Sequence, residues 1–278
     1  MAQITEEMRV SFRNALTSTS LTLNLGTEKF PVIPGGAVNI PVGELTVETA
    51  VHTHGNKKPV TQYESATVAL TPRMRAGIVE IPIEEYDEDS PELLERVIRA
   101  GAEDISKKLD REVAALIASS SRSVAWDSGD VYGTLIAGMR GHKRVDAFGF
   151  DSGLETDFLG ALDQVGRPLF TDAPYTEGAA VTRGRLLRRN AVFSEDFANE
   201  GIVGAVGQFK ENLYYVLDDN FRILVSLDGS AGGKSALDEN LVFIRVEVKA
   251  GVVLVNPDKI TAFTGTLDDG EAGGEGDF

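Results

Sequence analysis

One stretch constrains what this chain can fold into more than any other. Between Pro91 and the serine cluster Ser119–Ser121, Leu94, Val97, Ile98, Gly101, Ile105, Leu109, Val113, Leu116 and Ile117 recur near the helical period. Ser90 or Asp89 can cap such a helix, Pro91 suits its first position, where no N–H is needed, and Glu92 favours the positive N-terminal end. Glu92–Arg96, Glu95–Arg99, Glu103–Lys107 and Asp104–Lys108 stand one turn apart on the outer side. The predicted helix spans roughly 45 Å at 1.5 Å per residue, against about a dozen residues for an ordinary globular helix. A helix of that length with one apolar stripe is a spine for other elements to lie against.

The flanking segments read as β. Residues 1–30 begin with a short amphipathic stretch and continue as TSTSLTLNLGTEKF, a polar, β-leaning arm with little to bury. Residues 31–82 form a long β excursion in which Glu44–Val51 and Ser65–Leu70 flank the polar tip HTHGNKKP, whose glycine, asparagine and proline suit a hairpin turn. With few large apolar residues, the excursion is expected to project and pack on something else. Glu155–Gln164 reads as a short helix ended by Gly166 and Pro168. The last third is β-rich: Leu213–Leu217, Phe221–Leu227 and Leu241–Val255, with turns at Asp218–Asn220 and Asp228–Lys234. Strands before and after a long helix, without regular βαβ alternation, indicate an α+β fold.

Composition removes several classes of function. With no cysteine, neither disulfides nor thiolate metal sites hold the fold. No run approaches the ~18 apolar residues of a membrane span, and MAQITEEMRVSFRNAL lacks the apolar centre of a secretory signal. A formal net charge of −16 disfavours a direct role in gripping nucleic acid, which relies on Lys/Arg clusters that displace phosphate counterions.

Three segments resemble active-site pieces, and each has a structural account. DGSAGGKSA at 228–236 departs from a phosphate-binding loop: Gly229 precedes Gly233 by one residue too few, and Asp228 stands where the first glycine belongs. It is expected to be a polar hairpin loop. His52 and His54 share a face if they lie on a strand, as in some metal-dependent hydrolases, but a metal site needs further ligands and only His142 remains. The carboxylates of EEYDEDSPE at 84–92 are explained by capping and dipole complementation at the helix start. No G-x-S-x-G elbow is present, so neither an enzyme acting on a separate substrate nor any cofactor is expected.

The C-terminal third carries a family resemblance. Gly207-Gln208-Phe209, Tyr214-Tyr215, Asn240, Arg245, Glu247, Ala250-Gly251, Pro257 and Ala262-Phe263 follow one another as in major capsid proteins of tailed bacteriophages with the Hong Kong 97 fold. Upstream, IPIEEYDEDSPELLERVIRAGAEDISKKLDREVAAL resembles the approach to that family's spine helix, and ALDQVGRPLF followed by GRLLRRNAVFSED resembles its Gly-Arg-x-Leu passage. The similarity runs in order over about 31–265.

The resemblance implies an N-terminal arm at 1–30, an extended loop at 31–82, a peripheral domain with spine helix at 83–122, an axial domain at 123–228, peripheral return strands at 229–266, and an acidic flexible tail at 267–278. It implies an icosahedral shell of hexamers and pentamers around DNA, built in the host cytoplasm and present in the virion, with a portal, no membrane and no sequence-specific DNA contact. An acidic lumen that repels packed DNA would suit the charge. A decoration protein is a possible further partner, and an encapsulin-like nanocompartment is the alternative within the fold. Only about thirty residues precede the loop, so scaffolding is expected from a separate protein, the alternative being an already cleaved chain, which Met1 disfavours. Loop residues Glu44, Glu48, Lys57 and Lys58 are candidates to meet Arg96, Arg99 or Glu103 of a neighbour. Some family members weld subunits by a lysine–asparagine isopeptide bond assisted by a glutamate. The matching candidates are Lys57 or Lys58, Asn240 and Glu247, which need a dry site and a base. The odd spacing of Asn240 and Glu247 puts them on opposite sides of an unbroken strand.

Overall fold

The computed structural model describes residues 6–29, 36–42, 66–163, 165–172, 183–194, 197, 201–218 and 221–265. The Glu44–Val51 run, the loop tip with His52, His54, Lys57 and Lys58, and the tail at 267–278 lie outside them.

The chain opens with helices α1 (Glu6–Thr19) and α2 (Leu21–Leu25), then a two-residue strand β1 (Thr27–Glu28). This corrects the expectation of a β-leaning arm with little to bury. Phe12, Leu16, Leu21 and Leu25 are all buried, because α1 lies along the spine helix of its own chain and offers it an apolar side. The Phe12 ring stacks on Phe221 with centroids 4.4 Å apart. Ser20 caps α2 by accepting the Leu23 N–H at 3.3 Å.

Strands β2 (Val38–Val42) and β3 (Ala66–Leu70) pair antiparallel as the base of the extended excursion. They turn Val38, Ile40 and Leu70 onto Val216 and the half-buried Tyr214. Strand β4 (Arg73–Pro82) follows, then the spine α3 (Ile83–Ala118). At 36 residues α3 is roughly 54 Å long. It starts seven residues before Ser90, so Pro91 stands inside it and neither Asp89 nor Ser90 is its cap. Glu84 and Glu85 stand in its first turn, where negative charge suits the helix dipole. The C-terminal boundary falls at Ser119, as expected.

Beyond the spine come β5 (Ser123–Ala125), α4 (Val131–Met139), β6 (Ala147–Asp151), α5 (Glu155–Leu159), β7 (Phe170–Asp172), β8 (Arg183–Leu186), β9 (Arg189–Ser194) and β10 (Ile202–Gly207). The helix expected over Glu155–Gln164 is thus one turn, closed by Gly160. The short helix α6 (Phe209–Asn212) leads to β11 (Leu213–Leu217) and β12 (Arg222–Ser226). A hairpin of β13 (Ser230–Ala231) and β14 (Lys234–Ser235) turns through Gly232 and Gly233, both at positive φ. That is the polar hairpin expected at 228–236. Helix α7 (Ala236–Glu239), the long β15 (Leu241–Leu254) and β16 (Ile260–Thr264) complete the chain.

Two sheets result. The peripheral sheet is built on β15, with β4 along one side and β11 and β12 end to end along the other. Val242, Ile244, Val246, Val248 and Ala250 alternate onto α3 and share a core with Leu94, Ile98, Ala102, Ile105 and Leu109. The axial sheet has the order β5-β16-β10-β6-β9-β8-β7. One of its faces meets α2 and the end of α3 through Leu21, Leu25, Val113 and Ile117. The other meets α4 and α5 through an aromatic cluster of Phe148, Phe150, Phe158, Phe193 and Phe263. A Cβ on Gly138 of α4 would lie 2.5 Å from the Phe263 ring, which measures how closely that helix approaches.

Sheet membership moves three expected boundaries. Strand β4 belongs to the peripheral sheet rather than to the extended loop, since all ten of its residues pair with β15. Strands β11 and β12 also lie in the peripheral sheet rather than in an axial domain reaching 228. Strand β16 joins the axial sheet, not the peripheral return. Periodicity identifies strands but not their partners, and these pairings are long-range.

Candidate functional site

The spine helix presents its outer side where the sequence places contact candidates. Arg96 and Arg99 are exposed and Glu103 is half-buried, opposite the stripe that packs on β15. The Asp104–Lys108 pair forms at 2.7 Å. Their proposed counterparts Glu44, Glu48, Lys57 and Lys58 lie outside the described residues.

The peripheral sheet has a second, open side. Met74 and Ile78 of β4 are each 52% exposed, on the face opposite α3. Beside them stand Arg245 and Glu247 of β15, paired at 2.9 Å, and Lys234 reaches Glu80 at 2.5 Å. The β2–β3 pair covers the other end of this face.

Asn240 and Glu247 are not brought together within the chain. Asn240 adopts a left-handed backbone as the C-cap of α7, and its carbonyl accepts the Ile83 N–H at 2.9 Å. Seven residues of extended strand separate it from Glu247, roughly 23 Å, and Glu247 holds Arg245. The exposed Asn240 side chain stands just before β15, one of the two arrangements its odd spacing requires.

No group of three or more His, Cys, Asp or Glu able to hold a metal occurs among the described residues. The half-buried His142 makes a 2.7 Å hydrogen bond between Nε2 and the Thr261 hydroxyl. Burial lowers its pKa, with smaller contributions from Arg122 and Lys259. His52 and His54 lie outside the described residues.

The polar centre that sequence reasoning missed is Asp110, fully buried about two turns before the C-terminal end of α3. Its Oδ1 accepts the Ser20 hydroxyl at 2.9 Å, the Thr22 N–H at 2.8 Å and the Thr22 hydroxyl at 2.6 Å. Its Oδ2 accepts the Leu21 N–H at 2.8 Å and the Ser194 hydroxyl at 3.1 Å. Burial raises its pKa, and the hydrogen bonds from Thr22, Leu21 and Ser20 oppose that shift. One carboxylate thus ties the N-terminal helices, the spine and axial strand β9 together. An aspartate within the buried stripe of a helix was the available signal, since unpaired burial of such a group is costly.

The described residues combine a long spine helix, a peripheral sheet with one open face, an axial sheet covered on both faces and the paired base of an extended excursion. The chain has the Hong Kong 97-type capsid fold, as its C-terminal signature implied. A solved chain from Microbacterium phage Oxtober96 superposes with a TM-score of 0.65 at 13% identity, covering 89% of this chain and 91% of that one. The capsid of an empty GTA particle gives 0.58 at 14% identity, with 90% of both chains covered. In sequence, the chain is similar to the probable major capsid protein gp17 of Mycobacterium phage D29, 30% identical over 125 residues, or 42% of this chain. That match spans 38% of the relative's length. No family model matches the chain.

Proposed function

We propose that this chain is a major capsid protein, a non-enzymatic subunit that assembles with copies of itself into the icosahedral head enclosing phage DNA. The observation that carries the reading is the extent of the fold match, 89% of this chain against 91% of a phage chain, rather than any single residue. Subunits would gather as hexamers and pentamers around their axial domains. The excursion at 44–70 would lie over a neighbour's spine, with Glu44, Glu48, Lys57 and Lys58 facing Arg96, Arg99 and Glu103. Assembly would take place in the host cytoplasm with a separate scaffolding protein and a portal, and a decoration protein could bind outside. Elements that leave faces open within one chain are accounted for by repeated copies covering them.

Negative-stain microscopy of the chain expressed with the products of its neighbouring genes tests this. Closed shells are the expected result. A stable monomer at every concentration would overturn it, and particles holding enzyme cargo without DNA would favour a nanocompartment instead. A weld between Lys57 or Lys58 and Asn240 has to take its base from somewhere other than Glu247 of the same chain. Boiled particles test the weld: a ladder of multiples would support it, and a single 29.8 kDa band would sink it.

A further inference from the structure

The charge of this acidic chain is unevenly distributed, and the axial sheet shows where. At one end of that sheet, five neighbouring strands begin or finish together: β5, β16, β10, β6 and β9. Arg122 precedes β5, Lys259 precedes β16, Arg144 stands three residues before β6, and Arg189 opens β9. The turn leaving α4 adds Arg140 and Lys143, both exposed. Adjacent strands lie about 4.8 Å apart, so five of them set these cations along a rim roughly 19 Å wide.

Asp146, Glu211 and Asp258 stand among these six cations and are outnumbered two to one, although those held by neutral donors keep their charge. Asp146 accepts the backbone N–H groups of Phe209 and Lys210 at 2.8 and 2.9 Å. Glu211 holds Arg144 at 3.1 Å, and Asp258 accepts the Ser121 hydroxyl. Arg189 is held in place by its Nε donating to the Val145 carbonyl at 2.8 Å, a bond that leaves its charge unneutralised. The Arg122 guanidinium lies against Gly141, where a Cβ would come within 2.4 Å of it. Among the described residues, Arg122, Arg140 and Lys143 have no carboxylate partner.

The chemistry of the rim distinguishes between possible partners. A protein partner needs a desolvated apolar centre, usually aromatic or Met, ringed by polar groups. Among the described residues the large exposed apolar side chains are Val10, Met74, Ile78, Val79, Leu159, Leu162, Val165, Leu227 and Leu237, and none of these lies on this rim. A nucleic-acid backbone needs only cations and hydrogen-bond donors at its phosphates. We infer that this rim is a sequence-independent binding surface for the phosphate backbone of double-stranded DNA. The inference rests on the capsid reading for the identity of the polyanion. It also revises the expectation from net charge: −16 describes the whole chain, whereas counterion release depends on the local cluster.

The test is fluorescence anisotropy of a labelled 20-base-pair duplex of arbitrary sequence, titrated with the full-length chain between 25 and 200 mM NaCl. With about four phosphates engaged, affinity should fall on the order of a hundredfold between 50 and 200 mM. Arg122→Gln/Arg140→Gln/Lys143→Gln should weaken binding at least tenfold at 50 mM and flatten the salt slope. The exposed single change Lys143→Glu, which leaves the packing of Arg122 intact, should lower the slope by about one. Lys107→Gln/Lys108→Gln/Arg111→Gln on the spine helix should leave binding as it is. No binding at 25 mM overturns the inference, as does equal weakening by the spine triple, which would report net charge alone. Sedimentation velocity at the same salt adds a third arm: a rim variant that stops self-association but still binds the duplex assigns the rim to a second copy and overturns it too. Wild-type shells that form while the duplex goes unbound sink this inference only. Absence of shells under every condition sinks the capsid reading.

Discussion

All eleven residues of β6 and β10 in the axial sheet are buried, whereas the ten-residue β4 of the peripheral sheet buries only Ile81. The axial sheet has helices on both faces and an aromatic cluster in which Phe150 stacks near Phe193 and Phe263. The peripheral sheet has α3 and α1 on one face and leaves Met74 and Ile78 open on the other. Among the described residues β4 also lacks a strand partner on its outer side, the kind of edge that isolated proteins usually protect. The axial half therefore completes its own core, whereas the peripheral half leaves one face open among the described residues. Their common point is Asp110, which reaches both halves.

Breaking that common point should have the largest effect. Asp110→Ala strands five buried donors, each costing about 1–3 kcal/mol. A loss of about 4 kcal/mol or more in urea unfolding is expected, with both sheets affected because α2, α3 and β9 all lose their anchor. A loss below about 1 kcal/mol would remove Asp110 from this role. Phe150→Ala comes next, at about 3–5 kcal/mol for truncating a fully buried aromatic ring. It should act on the axial half, read out by fluorescence of Trp126, whose ring centroid lies 5.7 Å from Phe150. Met74→Glu/Ile78→Glu should change the stability of the unassembled chain by no more than about 0.5 kcal/mol, yet block particle formation. If particles still form, the open face is not covered by a neighbour.

The smallest expected effect concerns pH. The folded chain holds His142 below its ordinary pKa of 6.5 because of burial and the nearby Arg122 and Lys259. Below that pH the unfolded chain binds the proton more readily, so folding stability falls as pH drops through 6.5 and levels off below the folded value. His142→Gln should flatten that slope in thermal melts between pH 7.5 and 5. An unchanged slope would remove His142 as its source.

Much of this architecture was legible because it is periodic. The spine's stripe, its end at Ser119, the strand Leu213–Leu217 and the hairpin at 228–236 follow from spacing and turn chemistry alone. What spacing missed was decided by distant partners. The N-terminal segment read as a β arm because its threonines favour strands locally, but Asp110, some ninety residues away, supplies the acceptor that starts α2. Pro91 read as a helix start because it usually is one, yet the acidic turns before it are carried into the helix, beginning where Asn240 accepts the Ile83 N–H. The basic rim was hidden for the same reason. Arg122, Arg144, Arg189 and Lys259 are scattered along the sequence and meet only through sheet order.

Sedimentation velocity of the chain, alone and with the products of its neighbouring genes, over a hundredfold range of concentration, tests the central claim most directly. The account requires the 29.8 kDa subunit to disappear into a fast boundary of closed particles above a threshold concentration, and Met74→Glu/Ile78→Glu to remain in the slow boundary. A chain that stays monomeric throughout would contradict it.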